Sequence, residues 1–83
     1  MAFSFEITKP QDIGRTLLST RQKITDGGGT FSGDEKSGRF SGKGVDGVYY
    51  IGNSAIEITI IKKPSLYTKS SVKNAIEDYF AES

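Results

Sequence analysis

Isoleucines at positions 56, 58 and 60 alternate with Glu57, Thr59 and Ile61, and this short run constrains the fold more than any other. Side chains on a strand point to opposite faces in turn, so the pattern requires a sheet with one buried face and one wet face. The buried face needs a cover, and the end of the chain supplies one. Val72, Ala75, Ile76, Tyr79 and Phe80 recur at the spacing of an amphipathic helix.

The remaining segments fit around that pair. Phe3, Phe5 and Ile7 alternate with Ser4, Glu6 and Thr8, the pattern of a further half-buried strand. Thr8-Lys9-Pro10-Gln11 reads as a helix start, with Thr8 as cap, Pro10 in the first turn and Gln11 at the capping-box position. Ile13, Leu17, Leu18 and Ile24 then follow on a helix that Gly27-Gly28-Gly29 ends. The echo Phe31-Ser32-Gly33 and Phe40-Ser41-Gly42 is explained by a hairpin turning at Glu35-Lys36, which sets Phe31 opposite Phe40.

A second hairpin turns at Gly52-Asn53 with type II′ chemistry, placing Tyr49 opposite Ile56 and Gly47 opposite Ile58. Tyr49 and Ile51 join the buried side. Between the hairpins, Lys43-Gly44 and Asp46-Gly47 both qualify as turns, and statistics favour Asp-Gly. Pro64 stops the last strand. Leu66 and Tyr67 are expected to tuck back into the core, and Ser70 or Ser71 to cap the closing helix.

The element order is therefore β-α-β-β-β-β-α, an α+β fold in a single domain spanning residues 1–83. The expected sheet is five-stranded, mostly antiparallel and ordered 2-3-4-5-1, with both helices on its Phe/Ile face. The chain has neither cysteine nor histidine, so a disulfide and the usual zinc ligands are excluded and apolar packing must carry the stability. No metal and no cofactor is expected.

Charge and targeting signals are equally plain. Eleven Lys+Arg against ten Asp+Glu give a formal net charge of +1, too little for a broad nucleic-acid footprint. The opening Met1-Ala2-Phe3-Ser4-Phe5-Glu6 lacks the features of a signal peptide. No apolar run approaches the roughly 20 residues of a membrane span. A cytoplasmic location is the expectation.

Several motifs invite a chemical reading and each has a plainer one. Gly42-Lys43-Gly44-Val45-Asp46-Gly47 matches G-x-G-x-x-G, but a strand follows where a dinucleotide loop must open a helix. Gly27-Gly28-Gly29-Thr30 resembles an anion nest, yet it follows a helix C-terminus, whose dipole repels anions. Asp26, Asp34, Glu35 and Asp46 lack calcium-loop spacing and suit turns for backbone reasons. Lys62, Lys63, Lys69 and Lys73 read either as a phosphate or head-group contact or as a solvated rim beside a sheet edge, and near-neutral net charge favours the rim.

Two sets of residues remain as candidate sites. Val48, Tyr50 and Ile61 should lie on the outer sheet face among small polar residues, where a protein partner or a second copy of the chain would dock. Phe31, Phe40, Tyr49, Ile58, Ile76 and Phe80 would line an apolar pocket between sheet and helices. Catalysis is not expected. The commonest general base and the most nucleophilic side chain are both missing, and Glu57 points outward.

The run Phe40-Ser41-Gly42-Lys43-Gly44-Val45-Asp46-Gly47, the alternating Ile56, Ile58 and Ile60, the short connector and the closing amphipathic helix together resemble the polyhydroxyalkanoic acid system protein family. The resemblance spans nearly the whole chain in order of elements, and Gly44-Val45-Asp46-Gly47 is its most distinctive part. It implies a small bacterial protein associated with storage-granule genes, and it carries no catalytic residues. The connector Lys62-Lys63-Pro64-Ser65-Leu66-Tyr67 is more polar than the family's leucine-rich segment. The expected function is a non-catalytic accessory or binding module acting through protein–protein contacts. A carrier of a small apolar ligand is the alternative.

Overall fold

The computed structural model describes residues 2–81. At its centre is the isoleucine strand β5 (Ala55–Lys62), with Ile56, Ile58 and Ile60 fully buried. It pairs on one side with β1 (Phe3–Thr8) and on the other with β4 (Val45–Ile51), which pairs in turn with β3 (Ser37–Gly42) and then β2 (Thr30–Gly33). All four pairings are antiparallel. The sheet order β1-β5-β4-β3-β2 is the expected order read from the opposite edge.

Helix α1 (Ile13–Asp26) packs over β2 and β3, and α2 (Lys69–Tyr79) lies beside it. Leu17 and Ile24 of α1 and Val72 and Ile76 of α2 join Phe31, Phe40, Tyr49, Phe80 and the isoleucines in one core. Phe80, the C-cap of α2, meets both Phe40 and Tyr49 edge-to-face, with ring centroids 6.0 and 5.7 Å away. A Thr20 hydroxyl buried between the helices ties them together, 2.6 Å from the Tyr79 carbonyl and 2.8 Å from that of Thr16. Its single proton serves one carbonyl at a time. Leu18 falls outside the buried stripe and is largely exposed.

Both helix starts differ from the sequence expectation, α1 beginning later and α2 earlier. Thr8 is held in the ladder opposite Ala55, and the next amide, Lys9, donates to the Ser54 carbonyl, so the chain stays extended past Thr8. Asp12 caps α1 instead, its carboxylate accepting from the Arg15 amide at 3.1 Å. In α2 the cap is Thr68, which is extended and accepts from the Ser71 amide. Ser70 and Ser71 lie inside the first turn. The connector does not tuck in: Leu66 is 92% exposed and Tyr67 39%.

The hairpin of β2 and β3 has the expected register, Phe31 opposite Phe40. The β3–β4 turn is Lys43-Gly44 rather than Asp46-Gly47. Both residues have positive φ, 54° and 81°, as a type I′ hairpin requires. Asp46 and Gly47 belong to β4, where the ring of Phe40 lies over Gly47. A Cβ there would sit 2.5 Å from the ring. Gly47 is a glycine for packing, which turn statistics do not register.

The β4–β5 turn is Asn53-Ser54, one residue later than expected, closed by Gly52 N–H donating to the Ala55 carbonyl at 2.8 Å. Gly52 is not among the residues with positive φ, so it does not supply the conformation a type II′ turn needs. The shift sets Tyr49 opposite Ile58 and Gly47 opposite Ile60. A change of two residues preserves every face assignment. Near the end of this ladder Asp46 faces Lys62 while Gly47 faces Ile60, so Ile61 is the extra residue of a β-bulge.

Candidate functional site

Between α1, α2 and the β3–β4 end of the sheet lies a cleft of about 240 Å³. Its walls are apolar: Ile24 from α1, Phe40 and Val45 from the sheet, Val72 and Ile76 from α2. The space is open because several lining positions contribute little volume. Gly27, Gly29 and Gly42 have no side chain and Ala75 only a methyl group, so nothing fills the gap between the larger residues. Tyr67, Tyr79, Ser41 and Ser71 complete the lining, and Lys43 is its one charged residue.

Of the six residues read from the sequence as a pocket, Phe40 and Ile76 line this cleft. Phe31, Tyr49, Ile58 and Phe80 do not; they pack against one another and their neighbours as core. Phe31 stacks on Tyr49 with ring centroids 5.5 Å apart, and Ile58 faces Tyr49 across the ladder. These large side chains fill the space beneath them. The spacing of Val72, Ala75, Ile76 and Tyr79 was visible in the sequence, but not their juxtaposition with Ile24, Gly27 and Gly29 from the other helix end.

On the outer sheet face Val48 is half-buried, flanked across the ladders by Arg39 and Thr59. Tyr50 is 61% exposed, between Ser37 and Glu57. Ile61, at the bulge, is 46% exposed. Hydroxyl pairs Ser4–Thr59 and Thr30–Ser41 bridge neighbouring strands at 3.0 and 2.8 Å. Glu6 lies directly opposite Glu57, a like-charge pair on an otherwise mild surface.

The glycine motifs are absorbed by local structure. Lys43-Gly44 is a hairpin turn with a strand after it. The amides of Gly27, Gly28 and Gly29 donate to the carbonyls of Lys23, Thr25 and Ile24, which uses them as helix caps. Asp34 folds its carboxylate onto the Lys36 and Ser37 amides, at 2.8 and 3.1 Å. Those two bonds, with the Lys36 amide the larger influence, hold its carboxyl below the usual carboxylate range. Burial, and then the nearby charge of Asp34, push the Tyr49 hydroxyl above the usual tyrosine range. Both perturbed groups meet at the β2–β3 turn, Asp34 within it and the Tyr49 hydroxyl reaching it from β4, and neither residue lines the cleft. Among the described residues no three acidic side chains gather as a metal site, and no helix is long and apolar enough to cross a membrane.

In comparisons with known proteins, no family model, no curated protein and no solved structure matches the chain.

Proposed function

We propose that this domain is a non-catalytic binding module whose recognition element is the cleft between α1, α2 and the β3–β4 end of the sheet. The observation that carries the reading is its apolar wall, left unfilled by Gly27, Gly29, Gly42 and Ala75. Ligand pockets are mostly apolar with a few polar groups that fix orientation, and the Tyr67, Ser71 and Lys43 positions suit that role here. At about 240 Å³ the space suits a compact apolar group, such as a short alkyl chain or a single ring. The resemblance to the polyhydroxyalkanoic acid system family supplies storage granules as one setting for such a module.

The test is a titration of the full chain with xenon and with straight-chain alcohols of increasing length, followed by methyl and amide NMR. Saturable shifts confined to Val45, Val72, Ala75 and Ile76 are expected, and Ala75→Trp, which fills the cleft from an exposed position, should abolish them. Shifts that do not saturate, or that persist in the filled variant, would overturn the reading.

A second reading, docking of a protein partner or a second copy on the outer sheet face, is supported by the exposure of Tyr50 and Ile61 beside Val48. It is tested by light scattering on dilution, with and without Tyr50→Ser. A monomer at every concentration, and unchanged Tyr50 and Ile61 signals, would remove the self-association form.

A further inference from the structure

The connector between β5 and α2 turns Leu66 outward. Leu66, at 92% exposure, is the most exposed large hydrophobic residue among those described. Lysines flank it in the chain: Lys62 and Lys63 before, Lys69 and Lys73 after, with no acidic residue between Glu57 and Glu77. The fold adds another. The Lys43-Gly44 turn abuts Pro64, since a Cβ on Gly44 would lie 2.8 Å from the Pro64 ring.

Two of these lysines shape the tip. Lys63 Nζ donates to the Tyr67 carbonyl at 2.6 Å, and Lys69 Nζ sits 5.7 Å from the centre of the Phe3 ring. Lys43, Lys62 and Lys73 are exposed.

This clustering makes the molecule electrically lopsided. Five of the eleven basic residues gather here against two neighbouring acids, Asp46 and Glu77. That leaves six basic against eight acidic residues over the rest of the chain, a balance of +3 here and −2 elsewhere. These two acids border the patch: Asp46, opposite Lys62, and Glu77, one helical turn after Lys73 on α2. A charge distribution of this kind is oriented by a negatively charged plane, even when net charge is small.

We propose that this end of the domain docks reversibly on an anionic lipid surface, with Leu66 entering the boundary between head groups and acyl chains and the lysines lying over the head groups. Neither signal is sufficient alone: a lone apolar anchor binds marginally, and a basic cluster adds to it through surface potential. Lysine stems tolerate that boundary because their charged ends reach back to water. A nucleic acid would match the lysines but gain nothing from Leu66, since recognition of single strands works through stacked aromatic platforms. The proposal is independent of what the cleft binds.

Cosedimentation of the full chain with phosphatidylcholine vesicles, with and without phosphatidylserine, tests it. Binding is expected only with phosphatidylserine and should weaken as salt rises. Lys62→Ala combined with Lys73→Ala should reduce partitioning by about 25-fold, at roughly fivefold per lysine. Leu66→Ser should reduce it by about tenfold or more while leaving the salt dependence in place. All three positions are exposed, so circular dichroism should report an unchanged fold. Equal binding to both vesicle types, no binding at low salt, or competition by single-stranded RNA with no effect of Leu66→Ser would each overturn the proposal.

Discussion

The phenolic hydroxyl of Tyr49 donates to the backbone carbonyl of Asp34 across 2.7 Å, so a side chain from β4 closes the turn between β2 and β3. The ring reaches that far because Gly38 lies beneath it; a Cβ at Gly38 would sit 2.5 Å from the ring edge. On the other side of the same turn, the Asp34 carboxylate holds the Lys36 and Ser37 amides. The hairpin is therefore fastened from within the core and from the solvent side at once.

Removing the inner fastening is the first test. Tyr49→Phe keeps the stacking on Phe31 and the edge contact with Phe80 but leaves the Asp34 carbonyl without this donor. A loss of about 1 kcal/mol in denaturant unfolding is expected. Faster amide exchange should be concentrated in β2 and β3. Uniformly faster exchange would mean that the hydroxyl acts on the whole fold and not on the turn.

The outer fastening makes stability depend on pH. The Asp34 carboxyl titrates below its unfolded value, chiefly because the Lys36 and then the Ser37 amide bind its charged form. Its contribution is thus complete above the unfolded value and is lost as pH falls through the folded one. Tyr49 has the opposite sign. Its hydroxyl is raised, first by burial and then by the Asp34 charge, so stability holds below the unfolded tyrosine value and is lost as pH rises through the folded one. Amide shifts of Lys36 and Ser37 should report the acid step. A midpoint in the ordinary carboxylate range would contradict the assignment.

Gly47 offers a packing test. A methyl group there would meet the Phe40 ring at 2.5 Å, so Gly47→Ala should cost about 1–3 kcal/mol through overpacking. Adding Phe40→Leu should recover part of that loss, because a smaller side chain vacates the contested space. A double variant as unstable as the sum of the two single ones would show that no such space is shared.

Lys43 is the one non-glycine residue with positive φ among those described, at 54°. That conformation crowds the Cβ of any L residue, and asparagine tolerates it better because its short amide bonds to the local backbone, so Lys43→Asn should stabilise the β3–β4 hairpin by about 0.5–1 kcal/mol. Thermal or denaturant unfolding checks the sign directly.

These particulars also show what the sequence could disclose. The strand order followed from alternation at Phe3, Phe5 and Ile7 and at Ile56, Ile58 and Ile60, with turns short enough to force a meander. The Phe31–Phe40 pairing was legible because two aromatics flank one turn symmetrically. Three features were hidden because they depend on the tertiary placement of a segment and not on its own residues. Asp46-Gly47 has turn composition, but the Phe40 ring decides the role of its glycine. Thr8 has cap chemistry, but Ala55 keeps it in the ladder. Leu66 has core chemistry, but the connector carries it outward. The cleft was legible only in part. Phe40 and Ile76 were expected in a pocket, whereas the gap arises where Gly27 and Gly29 meet Ala75, residues notable for what they do not fill.

The rings of Phe40 and Tyr49 each occupy the place where a cross-strand glycine, Gly47 or Gly38, would otherwise carry a Cβ. Side-chain volume on the inner sheet face is thus allotted to pairs of positions and not to single ones. Among related sequences, size at 47 should rise only where size at 40 falls, and the same exchange should hold between 38 and 49. Such paired variation would trace the β3–β4 register through ancestry alone, without a structure for any relative.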